Sequence, residues 1–379
     1  MNTTDDVLMA KAIELARLGT LTTQPNPRVG CVIVKDGVIV GSGYHRKAGF
    51  PHAERYALAM AGNNSVGATC YVTLEPCSHT GRTSPCADAL INAGVARVVV
   101  AMTDPNPQVA GTGIEKLRNA GISVTTGVAE AEAKALNPGF IKRMLTGKPW
   151  VRVKLAMSLD GKTAMLDGES KWLTGELARQ DVQYWRARSS AIITGRETVS
   201  RDNPSLNVRW SLLDTQTDHM RHENEVISLQ HQPDRIIVDS QAKTTTDINM
   251  LTLPGKTVLA TTSKNLQKQQ AWQAAGGEWL SLPAHNSHLD LSALLQHLGQ
   301  QHCNEVLIES GPQLTGAFTS LNLVDEFLIY IAPKLLGNHS LNLMNLPGIH
   351  QLSEHIPLMF NDISHVGTDL RIRAVPLKN

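Results

Sequence analysis

The first part of the chain alternates between helix-like and strand-like patterns of apolar residues. An apolar face at helical spacing that stops at Gly19 predicts a first helix, capped by Thr4 or Asp5. Two short apolar runs around Asp36-Gly37 predict a β-hairpin, because this dipeptide favours the tight turns that join antiparallel strands. The runs that follow predict helices at 52–60, 85–93 and 129–145 and strands at 68–74, 97–102 and 121–124.

A new pattern begins after Gly147-Lys148-Pro149, where we expect a domain boundary. Residues 150–156 alternate as a strand does, residues 175–188 have helical periodicity, and further strands are predicted at 191–194, 235–238, 257–260, 306–308 and 327–331. Strands separated by helices indicate an α/β sheet. The polar stretch 212–232 lacks periodicity and predicts a long surface loop. Since 379 residues exceed the usual size of one core, two domains are expected, 1–147 and 148–379.

Formal charge is nearly balanced, with 35 basic against 34 acidic side chains. Such a surface gives no electrostatic reason to expect a nucleic acid as partner, so we expect small-molecule substrates. No run approaches the roughly 18 apolar residues of a membrane span, and the N-terminus lacks a signal-like pattern, so a cytoplasmic protein without a membrane partner is expected. Five cysteines do not suit a disulfide framework, and a reducing compartment leaves thiolates available for a metal.

The most specific chemical signal comes from His52, Glu54, Cys77 and Cys86. One imidazole and two thiolates make a three-ligand zinc site whose fourth position stays open, as in catalytic sites. Glu54, two residues from the histidine, is placed to move protons for water at such a site without binding the metal. A structural zinc site would need a fourth protein ligand, and His79 is the nearby candidate for that alternative.

This pattern resembles the zinc-dependent nucleobase deaminases, whose cysteines are usually separated by two residues. Here eight residues separate Cys77 from Cys86. The longer form is similar to the deaminase half of the bacterial bifunctional riboflavin-biosynthesis deaminase/reductase family, as are segments 25–30, 43–45 and 104–107. The resemblance implies that Glu54 is catalytic and that the pyrimidine substrate contacts Asn26, His45, His79, Arg82, Asp104 and Asn106. For Asn26 and Asn106, turn chemistry beside a proline is an equally good explanation.

The second half of the chain is similar to the reductase half of the same family, which has a dihydrofolate-reductase-like fold. Segments 154–164, 168–175 and 201–209 carry this resemblance, and it resumes at 237–240 and 309–317. It implies that NADPH contacts Ala156, Trp172, Thr198, Asp202, Ser240, Gly311, Pro312, Gln313, Leu314, Thr315, Gly316 and Ala317. It also implies that the reductase substrate contacts Ser170, Arg186, Leu206, Arg209 and Glu309, the arginines being suited to forked recognition of a phosphate.

Simpler explanations exist for parts of this second site. Each arginine could be an ion-pair partner, and Trp172 could belong to the core. No Gly-x-Gly-x-x-Gly fingerprint is present, so a Rossmann dinucleotide domain cannot be argued from the sequence. The segment from Glu309 to Pro312 follows a buried strand and precedes a helix-like stretch, where backbone N–H groups could hold a pyrophosphate or simply form a turn.

Together the resemblances imply an N-terminal cytidine-deaminase-like α/β/α domain followed by a C-terminal dihydrofolate-reductase-like α/β domain. The expected cofactors are one Zn²⁺ per chain and NADPH. The expected reactions are deamination of a phosphoribosylaminopyrimidine and then reduction of its ribosyl group, and a homo-oligomer, a dimer in particular, is also expected. Two alternatives stay open: a cytidine- or guanine-type deaminase with a nucleotide-binding module, and a zinc-stabilised ligand-binding protein without turnover.

Overall fold

The computed structural model describes residues 4–78, 85–107, 109–169, 172–213 and 231–377. The chain divides into two compact units, with the boundary between Gly147 and Lys148. Apart from its two residues at each end, the predicted loop 212–232 lies outside the described residues, as do His79, Arg82 and Ser170. Within the described ranges, no helix combines the length and the apolar character needed to cross a membrane.

The N-terminal unit is built on one five-stranded sheet. In chain order its elements are α1 (Thr4–Leu18), β1 (Gly30–Lys35), β2 (Val38–Tyr44), α2 (Ala53–Ala61), β3 (Thr69–Val72), α3 (Cys86–Asn92), β4 (Arg97–Val100), α4 (Thr112–Asn119), β5 (Ser123–Thr126), α5 (Glu130–Leu136) and α6 (Pro138–Thr146). The strand order is β2-β1-β3-β4-β5, with β1 antiparallel to both neighbours and β3, β4 and β5 parallel. Asp36 and Gly37 have φ of 49° and 79°, which confirms the predicted hairpin turn.

One prediction for this unit is wrong: residues 129–145 do not form a single helix. The helix α5 ends at Leu136 and α6 begins at Pro138. Proline has no amide hydrogen for a helix interior, and Asn137 before it has a φ of −125°. The Asn137 side chain accepts a hydrogen bond from the Arg28 amide at 2.8 Å and donates one to the Arg28 carbonyl at 2.9 Å. The break therefore anchors the segment that leads into β1.

The C-terminal unit contains a nine-stranded sheet and two short two-stranded pairs. In chain order its elements are β6 (Trp150–Ser158), β7 (Lys162–Met165), α7 (Glu176–Arg188), β8 (Ala191–Gly195), α8 (Arg196–Asp202), β9 (Asp234–Val238), α9 (Asn249–Thr252), β10 (Thr257–Thr261), α10 (Leu266–Ala274), β11 (Glu278–Ser281), β12 (Ala284–His285), β13 (His288–Leu289), α11 (Leu291–Gln300), β14 (Glu305–Ile308), α12 (Pro312–Ser320), β15 (Glu326–Ala332), β16 (Ser340–Asn342), β17 (Leu358–Val366) and β18 (Asp369–Pro376). Short 3₁₀ turns cover Trp210–Leu212 and Leu352–Glu354 in this unit and Gly62–Ser65 in the N-terminal unit.

The large sheet has the strand order β11-β10-β9-β8-β14-β6-β15-β18-β17. The seven strands from β11 to β15 run parallel, and β18 and β17 extend them as an antiparallel hairpin. Neighbouring residues of β14 lie in different apolar clusters, Val306 and Ile308 in one and Leu307 in the other. Apolar residues therefore cover both faces of the sheet, as is typical of parallel sheets flanked by helices.

Candidate functional site

Three candidate zinc ligands converge in the N-terminal unit. His52 immediately precedes α2, Cys77 follows β3, and Cys86 is the first residue of α3. Their ligand atoms all lie within 4.8 Å of one another. The His52 Nδ1 is 3.6 Å from the Cys77 Sγ and 3.4 Å from the Cys86 Sγ. The sequence motif predicted that these residues form one site. In the structure they meet because the segment after β3 lies beside the starts of α2 and α3.

These separations fit a zinc ion. With Zn–S near 2.3 Å and Zn–N near 2.0–2.1 Å, a tetrahedron has a sulfur-to-nitrogen edge of about 3.6 Å. Contact between the two thiols, and also with His52, lowers the pKa of Cys77, while the same contact raises the pKa of Cys86, so the two thiols share one proton and Cys77 is the first to become the thiolate that binds metals. The Cys86 amide also donates to the Cys77 Sγ at 3.3 Å. The donor set and its spacing thus suit a three-ligand zinc site, which would have room for a fourth ligand.

Glu54 lies in the first turn of α2, beside the three ligands, and is only 3% exposed. Burial raises the pKa of its carboxyl group, while the neighbouring His52 opposes that shift. A carboxyl group with a raised pKa exchanges protons at pH values nearer neutrality than an exposed glutamate does. Glu54 therefore has the location and the acidity of a proton carrier rather than of a surface charge.

Asn26 and His45 contact each other next to the ligand cluster. The His45 ring packs edge-on against His52 with 5.3 Å between ring centroids. Burial lowers the pKa of His45 to about 4, so its ring is neutral near pH 7. A carbonyl can only accept, so Nδ1 donates to the Pro51 carbonyl at 3.1 Å, and Nε2 accepts from the Asn26 Nδ2 at 3.0 Å. His45 thus fixes the Asn26 amide with its Oδ1 pointing away from the histidine.

Asp104 and Asn106 follow β4, at the same sheet edge as Cys77. The Asp104 carboxylate accepts a hydrogen bond from the Asn106 amide at 2.8 Å, which brings these two predicted contacts together. The Asp104 amide donates to the carboxylate of Glu75 at 3.1 Å, and Glu75 is a buried residue that the sequence did not mark as part of the site.

Four of the predicted contacts of the C-terminal unit lie on or shortly after neighbouring strands of its large sheet. Ala156 is on β6, Thr198 lies in α8 directly after β8, Ser240 follows β9, and Glu309 follows β14. These four strands are neighbours in the order β9-β8-β14-β6. The carboxyl edge of a parallel sheet is the usual location of ligand sites, so the topology groups residues that are far apart in sequence.

A charged cluster occupies this edge. Arg186 on α7 donates from Nε and Nη2 to the two oxygens of Glu309 at 2.6 and 2.9 Å, and from Nη1 to the Asn207 carbonyl at 3.1 Å. Lys154 on β6 faces the same pair: burial lowers the pKa of its ammonium, and Glu309 opposes that shift. Burial would raise the pKa of Glu309, but Arg186 and Lys154 outweigh it and lower the value. Lys154 was missed because one lysine in a strand carries no signal.

The start of α12 fits a dinucleotide phosphate. Gly311 is the N-cap residue, and its amide donates to the Thr198 Oγ1 at 3.1 Å. The first-turn amides of Gln313 and Leu314 have no acceptor within the helix. A Cβ added to Gly311 would meet, among the described atoms within 4 Å, the Thr198 hydroxyl oxygen at 3.8 Å. The helix end therefore leaves space for a phosphate group at its positive end.

The rest of the predicted segment is more enclosed. Thr315 is fully buried, and a Cβ on Gly316 would lie 1.9 Å from the Asn345 carbonyl oxygen.

Trp172, a predicted cofactor contact, is 65% exposed, with the Arg179 guanidinium 4.5 Å above its ring, so it does not belong to the core.

The remaining predicted contacts have diverse surroundings. Leu206 is buried with a φ of 44°, a strained conformation for a branched side chain. The Arg209 side chain is exposed and its amide donates to the Gln183 side chain at 2.9 Å. Asp202 is the exposed last residue of α8, and the Ser240 hydroxyl accepts from the Leu289 amide at 2.9 Å.

Two protein families match the chain. The family described as "Cytidine and deoxycytidylate deaminase zinc-binding region" matches residues 2–102. The family described as "RibD C-terminal domain" matches residues 149–372. One alternative was a cytidine- or guanine-type deaminase with a generic nucleotide-binding module in the second half of the chain. The second match covers that half, so a reductase domain takes the place of the generic module in this interpretation.

Known proteins resemble the chain over nearly its whole length. The riboflavin biosynthesis protein RibD of Escherichia coli is 51% identical, covering 98% of this chain and 99% of that protein. The RibD protein of Haemophilus influenzae is 46% identical, covering 98% and 97%. Among solved structures, Acinetobacter baumannii RibD has a TM-score of 0.88 at 44% identity, covering 99% of both chains.

A second structure is the diaminohydroxyphosphoribosylaminopyrimidine deaminase/5-amino-6-(5-phosphoribosylamino)uracil reductase of Thermotoga maritima. It has a TM-score of 0.84 at 32% identity, covering 98% of this chain and 99% of that one. These matches confirm the predicted fold class, the two activities and the two cofactors. The chain therefore belongs to the bifunctional riboflavin-biosynthesis family, in which a zinc-dependent deaminase is joined to an NADPH-dependent reductase.

Proposed function

We propose that residues 1–147 deaminate 2,5-diamino-6-(5-phosphoribosylamino)pyrimidin-4(3H)-one and that residues 148–379 reduce the ribosyl group of the product, 5-amino-6-(5-phosphoribosylamino)uracil. The convergence of His52, Cys77 and Cys86 beside the buried Glu54 carries the first assignment. The charged cluster of Arg186, Glu309 and Lys154 at the sheet edge supports the second.

In the deaminase, each described residue has a role that follows from its position. Zinc, when bound, would supply Lewis acidity toward water. Glu54 accepts one proton from the attacking water and passes it to the ring nitrogen; it then takes the second proton from the added hydroxyl group and gives it to the amine, which leaves as ammonia. Asn26, whose amide is fixed by His45, presents its Oδ1 to a donor on the pyrimidine. Asp104 and Asn106 contribute further substrate contacts, together with His79 and Arg82 from outside the described residues.

In the reductase, the chain's residues bind and orient. NADPH, when bound, would supply a hydride to C1 of the ring-opened ribosyl group. Gly311 to Leu314 hold its pyrophosphate, with Thr198 fixing the helix start. Ala156, Trp172, Asp202, Ser240 and Ala317 complete the cofactor site; Thr315 and Gly316 are buried, so they shape the helix start rather than touch the cofactor. Arg186, Arg209, Leu206, Glu309 and Ser170 bind the substrate, and the excess of positive charge around Glu309 suits its phosphate.

The decisive experiment supplies the purified protein with the diaminopyrimidine phosphate, with and without NADPH, and follows ammonia release together with NADPH absorbance. The Glu54→Gln variant should keep one zinc per chain and should reduce the deaminated substrate normally. Its deamination should fall about 10²- to 10⁴-fold, the usual contribution of a general acid–base group. Glu14→Gln, an exposed glutamate on α1, is the matched control. Normal deamination by Glu54→Gln would contradict the assigned role.

We also propose that the protein is a cytoplasmic homodimer that binds neither nucleic acid nor membranes. The outermost strand of the large sheet, β17, exposes Met359, Phe360 and Ile363 at 49%, 59% and 57%. An exposed apolar edge strand is a surface that a second copy would cover. Light scattering during size-exclusion chromatography should give the mass of a dimer, and Phe360→Glu should shift it toward the monomer. A monomer for the unaltered chain at all tested concentrations would disprove the dimer.

A further inference from the structure

The Glu75 carboxylate is saturated by backbone amides. Its Oε2 accepts from the amides of Asp104 and Gly111 at 3.1 and 2.9 Å. Its Oε1 accepts from the amides of Gly113 and Ile114 at 2.8 and 3.3 Å. The residue is 4% exposed and lies two positions before the ligand Cys77. One buried side chain therefore holds both the start of the segment after β4 and the first turn of α4.

The surrounding backbone leaves little freedom for this arrangement. A Cβ added to Gly113 would lie 2.0 Å from the Pro76 carbonyl oxygen, so α4 packs directly on the residue between Glu75 and Cys77. The Glu75 amide in turn donates to the Met102 carbonyl at 3.0 Å. A carboxylate offers about four acceptor sites and no donor, so it suits four converging N–H groups. A glutamine would turn an NH₂ group toward two of them.

We propose that Glu75 is a positioning residue for deamination, acting through Asp104 and Asn106. It binds the Asp104 amide, and the Asp104 carboxylate binds the Asn106 amide at 2.8 Å. Glu75 thereby fixes the positions of Asp104 and Asn106 relative to the segment that carries Cys77. The inference rests on the proposed function, because it takes Asp104 and Asn106 as substrate contacts. Glu75 itself touches neither the substrate nor the metal ligands' sulfur atoms in this role.

The test compares Glu75→Gln and the shorter carboxylate of Glu75→Asp with a matched control, Glu115→Gln, an exposed glutamate in the first turn of α4. Glu75→Gln should raise the KM of deamination about 10- to 100-fold and change kcat less than about 3-fold, because misplaced contacts weaken binding. Glu75→Asp, which keeps all acceptor sites, should give a smaller rise. Zinc content and reductase activity should match the unaltered protein in every variant.

A combined variant identifies the route of the effect. In a chain carrying Asp104→Ala and Asn106→Ala, adding Glu75→Gln should raise KM by less than about 2-fold further, because residues that act through one another are not additive. Full additivity, loss of zinc from both Glu75 variants, or an unchanged KM would overturn the positioning role. If Asp104→Ala with Asn106→Ala leaves deamination unchanged, the proposed substrate contacts fail first, and the positioning role falls with them.

Discussion

Replacing Arg186 by lysine tests the reductase site most directly. The guanidinium makes three hydrogen bonds, two to Glu309 at 2.6 and 2.9 Å and one to the Asn207 carbonyl at 3.1 Å. An ammonium keeps the charge but has no planar fork, so it can retain one contact to Glu309 and leaves the second carboxylate oxygen and the Asn207 carbonyl without this donor. The substitution therefore changes geometry while conserving charge.

The magnitude follows from the bonds that are lost. A hydrogen bond to a charged group contributes about 1.5–3 kcal/mol. Lys154 remains beside Glu309 and compensates part of its charge, so we take the lower limit for each of the two lost bonds, about 3 kcal/mol in total. Because the proposed function has the same guanidinium fork bind the substrate phosphate, we expect a loss of this size in the transition state, which lowers reductase kcat/KM by about 150-fold.

The assay follows NADPH absorbance with the deaminated substrate, and ammonia release from the diaminopyrimidine measures the other activity of the same chain. Deamination should be unchanged, which shows that the variant is folded and loaded with zinc. Arg196→Lys is the matched control, because this arginine pairs with its neighbour Glu197 on the surface of α8. Wild-type reduction by Arg186→Lys, or an equal loss of both activities, would refute the role of the forked contact.

Three further outcomes test the folded state and the metal. Arg152 is fully buried between Glu305 and Glu326. Arg152→Ala should therefore lower the free energy of unfolding by about 3–5 kcal/mol, and Arg152→Met, which fills more of the same space, should lower it by clearly less. Denaturant titration measures both values, and equal losses would contradict this prediction. Arg97 lowers the pKa of Asp5, so this pair stabilises the fold above the ordinary aspartate pKa of about 3.9 and the contribution disappears as the pH falls through the lower folded value. Unfolding measured across that range should show a weaker pH dependence for Asp5→Asn, and an identical dependence would exclude the pair. Chelation of zinc should abolish ammonia release and spare NADPH oxidation, whereas parallel loss of both would mean that the metal supports the whole chain.

The zinc site could be predicted from the sequence because its chemistry is local. His52 and Glu54 share one helix start, and each cysteine follows a proline, so residue type and spacing were sufficient to name them. The break at Pro138 had an equally local signal, since a proline within a helical pattern ends the helix. The continuous helix was predicted because the polar stretch around that proline has otherwise good helix formers.

Other features have no local signal. The four amides that bind Glu75 lie 29 to 39 positions further along the chain, and nothing in their residue types marks them as donors to a carboxylate. The C-terminal hairpin was also missed, because most of β17 is exposed and its apolar residues do not alternate cleanly with polar ones. Lys154 became recognisable only when the sheet placed it beside the ion pair of Arg186 and Glu309.

Glu75 and Glu309 are glutamates in similar positions after a strand, yet their binding partners differ. Each follows a buried parallel strand, β3 or β14, at the carboxyl edge of its sheet. Glu75 is bound by backbone amides, which cannot change rotamer or protonation, so its contacts persist whatever occupies the site. Glu309 is bound by the side chain of Arg186, with the charge of Lys154 nearby, and a side chain can change rotamer and redirect its N–H groups. Backbone partners thus make the first glutamate a fixed support, whereas the position of the second depends on a side chain that can change rotamer.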